Sequence, residues 1–130
     1  MGGEADRRER GLGAFASQFG IPRDEVAPTL TERFGERFAE EAIAAAGGAW
    51  TADALSLRDR SLVVVTTLIV QGGVEDRLRN HVRWAIENGS TRQELEALVA
   101  LVAVYAGYPR ASVAMEVMRD ELDRLESQPS

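Results

Sequence analysis

One imidazole, His81, is the only side chain of this chain whose unperturbed pKa lies near neutrality. It sits among arginines, with Arg77, Arg79 and Arg83 close by and Trp84 and Asn88 following. On a helix Arg77, Trp84 and Asn88 share its face, at spacings of four, three and seven residues. Arg83, two residues on, points roughly 200° away at ~100° per residue. The chain has no cysteine, which excludes thiolate nucleophiles, disulfides and Cys-ligated metals. All 15 basic residues are arginine, so a Schiff base or a lysine base is unavailable. A single His rules out a multi-histidine metal site, and the carboxylates show no ligand spacing. Neither Gly47–Gly48 nor Gly72–Gly73 carries the pattern of a phosphate loop. What remains is acid–base chemistry at His81, with guanidinium groups to hold an anion and hydroxyls to donate. No metal and no cofactor is expected.

Each candidate also has a plainer role. His81 acts on a substrate or is a core histidine bonded to a backbone carbonyl. Arg60 falls in the first turn of a helix, where a cation opposes the dipole. A bound carboxylate would offset that, and so would an ion pair with Asp59 or Glu94. Trp50 walls a pocket or anchors the core. Tyr105 lines a pocket or packs with its hydroxyl satisfied. The acidic run at Asp120, Glu121 and Asp123, with Arg124, reads as a solvated helix face.

The elements that position these groups follow from periodicity and caps. Arg7 to Phe19 reads as a short or frayed helix, interrupted by glycines. After Pro28, residues 29–46 repeat Leu30, Phe34, Phe38, Ala42 and Ala45 at helical spacing, and Gly47–Gly48 is the expected stop. Ser56 with Asp59, and Thr91 with Glu94, are capping boxes opening two more helices. Residues 57–71 are rich in β-branched side chains, but the cap, the length and Gly72–Gly73 favour a helix. Apolar nearly all round, it must be buried within the domain or against another subunit. Residues 74–88 form the next helix with Gly89 at its C-terminal end, and Pro109 suits the first turn of the last. The expected fold is all-α, a bundle of five to six helices.

With 130 residues the chain fits a single domain, read as a helical lead over 1–49 and a core over 50–125. A formal net charge of −6 argues against nucleic acid as a partner. It also means that an anionic substrate needs a local arginine cluster. The N-terminus shows no apolar signal region, and the apolar run 62–70 is too short to span a bilayer. A cytoplasmic protein without a membrane partner is expected.

Four fragments in order carry a resemblance: Leu55 to Leu62 with Arg60 and Ser61; His81, Val82 and Arg83 with Asn88 and Gly89; Thr91 to Leu95; and Val104 to Pro109. Together, over roughly residues 50–122, they resemble the carboxymuconolactone decarboxylase family. Its superfamily also holds alkylhydroperoxidase-like proteins, which use a Cys-x-x-Cys pair upstream of the matching histidine. Here Val74 and Arg77 occupy those positions, and Ser61 stands where the peroxidases carry a relay glutamate, so the resemblance points to the decarboxylase branch. It implies an all-helical trimer or hexamer and a cofactor-free loss of CO₂ from a carboxylated γ-lactone, in aromatic catabolism through β-ketoadipate. It further implies His81 as general acid/base, Arg60 as carboxylate clamp and Ser61 as a donor to the lactone oxygen. Trp50, Arg77, Trp84 and Tyr105 would bind the substrate. Residues 1–45 match that pattern weakly or not at all. Two alternatives stay open: another acid/base reaction (isomerase, lactonase or cyclase), or an oligomeric binding or scaffold protein.

Overall fold

A computed structural model describes residues 3–128. Among them are seven helices and no strand: α1 (Glu4–Phe19), α2 (Arg23–Phe34), α3 (Glu36–Ala49), α4 (Leu57–Gln71), α5 (Glu75–Glu87), α6 (Arg92–Ala106) and α7 (Tyr108–Glu126). The fold is all-α as expected, with one helix more than the reading allowed. The extra helix comes from Gly35, whose φ of 87° and ψ of 157° break the segment read as one element into α2 and α3. Pro28 lies inside α2 rather than ahead of it.

Two other glycine readings are corrected by packing. Gly47–Gly48 does not stop α3, and Gly11 does not fray α1. A Cβ on Gly11 would stand 1.8 Å from the Ile43 carbonyl oxygen, and one on Gly47 would stand 1.9 Å from that of Arg7. These glycines let two helix backbones touch, the close approach that a missing side chain permits.

Contacts divide the chain into two compact units, up to Ala54 and from Leu55 onward. In the first, α1, α2 and α3 pack pairwise around Leu12, Val26, Leu30, Ala39 and Ile43. In the second, α4 packs on α5, α6 and α7, and α7 also on α5 and α6. Its core runs through Val65, Ile69, Leu78, Val82, Leu95, Val99, Met118 and Leu122. The predicted caps are in place. Ser56 Oγ accepts from the Asp59 N–H at 3.0 Å. Thr91 and Glu94 exchange two bonds, at 3.1 and 2.9 Å, in a complete capping box. Gly89, at φ 106°, turns the chain out of α5. No helix among the described residues is long and apolar enough to cross a membrane.

Candidate active site

His81 lies in the middle of α5, half-buried. Its ring meets the buried Trp84 edge-on, with centroids 6.3 Å apart and planes at 75°. The helix repeat explains the pairing, since residues three apart are neighbours on the surface of a helix. Burial pushes the imidazole pKa down from 6.5 to about 4, and the positive charge of Arg83 adds to the effect. At neutral pH the ring is therefore uncharged, one nitrogen a donor and the other an acceptor.

The influence of Arg83 was missed by the helical wheel, which sends its Cβ away from His81. A long, flexible arm places the charge elsewhere than the wheel places the Cβ. Nη2 of Arg83 donates to Asn80 Oδ1 at 2.7 Å and Nη1 to Glu87 Oε1 at 2.8 Å, which steers the guanidinium along α5. The signal in the sequence was an arginine two residues from the sole histidine.

Arg77 is one turn before His81, near the start of α5, and exposed. It makes no hydrogen bond or ion pair among the described residues, in contrast to Arg58, Arg79, Arg92 and Arg124, each held by carboxylates. With Gly73, Val74, Glu75 and Asp76 it lines an open cleft of about 410 Å³.

Arg60 is in the first turn of α4, where Nε donates to the Leu55 carbonyl at 2.8 Å. Its neighbour Arg58 bonds Glu94 and stands 3.5 Å from Asp59. Ser61 is fully buried, with Oγ donating to the Leu57 carbonyl at 3.0 Å and accepting from Asn88 Nδ2 at 2.7 Å. Its one proton is committed to its own helix. The hydroxyl pins the start of α4 to the end of α5 rather than facing a ligand.

That pin also scales the site. Asn88 is two turns beyond His81, so the Arg60–Ser61 corner lies roughly 10 Å along α5 from the imidazole, against roughly 6 Å for Arg77. The structure thus sets His81 against Trp84 with the charge of Arg83 near it, places Arg77 one turn earlier on the same helix in a cleft lined by residues 73–77, and leaves Ser61 in a packing role. Tyr105 stands apart: it is 86% exposed on α6. Trp50 closes α3 in the other unit, with its N–H on the Ala46 carbonyl. The acidic run on α7 is not wholly solvated as read. Glu121 is buried, paired with Arg124 and 3.6 Å from Arg79, while Asp120 holds Arg79 at 2.6 Å. No cluster of three or more His, Asp or Glu side chains suited to a metal exists among the described residues.

Comparison with known proteins identifies the family. The chain is 36% identical over 74 residues to a 4-carboxymuconolactone decarboxylase of Acinetobacter baylyi. That match covers 57% of this chain and 54% of the relative, so the chain spans about half the length of the curated protein it resembles. A family sequence model matches residues 36–120, which begins at α3, ahead of Trp50, and includes the whole of α4, α5 and α6. The match takes in the His81 helix and the Ser61–Asn88 pin together, and the chain belongs to the carboxymuconolactone decarboxylase family.

Proposed function

We propose that the chain is a cofactor-free decarboxylase of a carboxylated γ-lactone, with His81 as its proton carrier. The observation that carries this reading is a half-buried, neutral imidazole against Trp84 with an unpaired guanidinium, Arg77, one turn away. In such a substrate the electrons left by CO₂ pass into the conjugated lactone carbonyl, so the substrate is its own electron sink. The protein supplies a cation for the carboxylate, a donor to the developing oxyanion and a proton for carbon.

Arg77 is the nearest clamp, with Arg60 the more distant candidate. A substrate carboxylate beside His81 opposes the field of Arg83 and raises the imidazole pKa, so the ring takes up a proton as the anion binds. The C–C bond then breaks, CO₂ leaves, and the imidazolium returns its proton to the dienolate carbon. Solvent restores the proton, and each turnover consumes one. Trp84 orients the ring; Ser61 and Asn88 hold α4 and α5 in register beneath it. A cytoplasmic location and assembly as a homo-oligomer, trimer or hexamer, go with this reading. A different acid/base reaction on the same class of lactone is the second reading, favoured by the unmatched α1 and α2 and the partial span of the relative.

Incubating the chain with 4-carboxymuconolactone and reading products by mass spectrometry tests the proposal. Loss of CO₂ is expected, falling about 100- to 10,000-fold in His81→Gln with helicity retained. A product of unchanged mass favours the second reading. Unimpaired decarboxylation by His81→Gln refutes the role of His81.

A further inference from the structure

The turn between α5 and α6 leaves one polar group unanswered. Gly89 follows α5 at φ 106°, and the Ser90 N–H reaches back to the Ala85 carbonyl at 3.0 Å. In this kind of helix end the residue after the glycine commonly makes an apolar contact. Here that position holds a serine, 5% exposed, whose hydroxyl has no hydrogen-bond partner among the described residues. A buried hydroxyl left without a partner is unfavourable, and a ligand that bonds it removes the penalty. The buried Ser90 and Leu122 form the floor of a cleft of about 310 Å³. Ile86 and Leu125 are its apolar walls, with Arg92 and Glu126 at the rim. Ile86 is five residues beyond His81, about 140° round α5 at ~100° per residue, so the cleft opens away from the imidazole.

We propose that this cleft binds a small organic cation, a primary ammonium on an apolar body of no more than about ten heavy atoms, with Ser90 Oγ accepting from the ammonium. The surrounding charge sets the sign of the ligand. Arg92 is held by Glu96, Asp123 and Glu126, so three carboxylates surround one guanidinium and two negative charges are in excess. Committed to those partners, Arg92 has little left for an incoming anion. Helices α5 and α7 both end here, at Glu87 and Glu126, and the carbonyls at a helix C-terminus favour cations. The last turn of α5 has no basic residue, and Arg124 in that of α7 is paired with Glu121. The opposing end of α6 is already closed by its own capping box. One hydroxyl between apolar walls then fixes where the ammonium sits, as a few polar groups do in small-molecule sites. The inference goes beyond the enzymatic reading and stands whether or not a lactone is turned over.

Titration with benzylamine at neutral pH, followed by backbone amide shifts in NMR, tests it against benzyl alcohol, which has a similar shape and no charge. Benzylamine is expected to bind with a Kd of about 1 mM or tighter, shifting residues 86–92 and 122–126 first. Benzyl alcohol should bind at least about tenfold more weakly. Ser90→Ala should weaken benzylamine about tenfold, yet melt at or above the wild-type temperature, because the unanswered hydroxyl is gone. Glu126→Gln should weaken it about threefold, while Glu32→Gln, the same charge change on α2, should leave it unchanged. A clear loss of stability in Ser90→Ala would show the hydroxyl bonded within the fold and overturn the proposal. So would equal binding of the alcohol, binding that Ser90→Ala or Glu126→Gln leaves intact, or no shift in the cleft at millimolar benzylamine. Shifts centred on residues 73–84 would place the amine beside His81 instead and equally overturn it.

Discussion

The low pKa of His81 makes the stability of the protein depend on pH in a window set by one residue. The folded imidazole titrates near 4 and the unfolded one near 6.5. Between those values the unfolded chain binds a proton that the native state refuses, so stability rises with pH across the window. Taken from neutral pH downward, the contribution of His81 is intact above 6.5, declines at up to about 1.4 kcal/mol per pH unit and is lost near 4. The gap between the two values amounts to at most roughly 3.4 kcal/mol, a large part of the stability of a small domain. Carboxylates such as Glu40 and Glu94, held below their usual range by Arg8 and by the Thr91 cap, weaken the fold over lower pH too. A comparison with His81→Gln isolates the imidazole. Urea unfolding at a series of pH values should show wild type losing stability more steeply than the variant between 6.5 and 4. The one histidine gives a single Hε1 resonance in NMR, and its titration midpoint reads the native pKa directly. Removing the Arg83 charge in Arg83→Met should move that midpoint up, yet leave it below 6.5, because burial is the larger cause. A native midpoint at or above 6.5, or parallel pH slopes for wild type and His81→Gln, would refute the buried, neutral imidazole on which the mechanism rests.

Arg77→Met should raise KM for the lactone about tenfold or more, with little change in kcat or melting temperature, since the guanidinium makes no hydrogen bond or ion pair among the described residues. Steady-state kinetics check this, and an unchanged KM would move the clamp to Arg60. Ser61→Ala strips the acceptor from Asn88 and should cost about 1–2 kcal/mol in urea unfolding, with a loss of kcat far smaller than that of His81→Gln. Gly11→Ala should destabilise by about 3 kcal/mol or more, because its Cβ meets the backbone of Ile43, whereas Gly3→Ala, with open space around it, should be neutral. Thermal melts of the two variants side by side decide the point.

Helix starts were legible because caps are local. Ser56 with Asp59 and Thr91 with Glu94 bond within three residues, and the structure forms both. The pairing of His81 with Trp84 was legible for the same reason, being one turn of one helix. The glycines were ambiguous, since a stop and a close helix crossing use the same residue. Whether Gly47 ends a helix or admits Arg7 depends on a chain segment forty residues away in the sequence.

Residue types and short spacings determined the chemistry within reach: one proton carrier, guanidinium clamps, no thiol, and helices to hold them. Packing assigned the roles. It buried Ser61 and gave its proton to Leu57, left Arg77 without a hydrogen bond or ion pair among the described residues, sank Glu121 between two arginines and turned Tyr105 outward. The physical reason is one of range. Caps and i,i+4 pairs act within a turn, where sequence neighbours are spatial neighbours. Burial and electric field come from side chains that meet only when distant helices pack, and those two quantities fix whether an imidazole is charged and whether a hydroxyl is free.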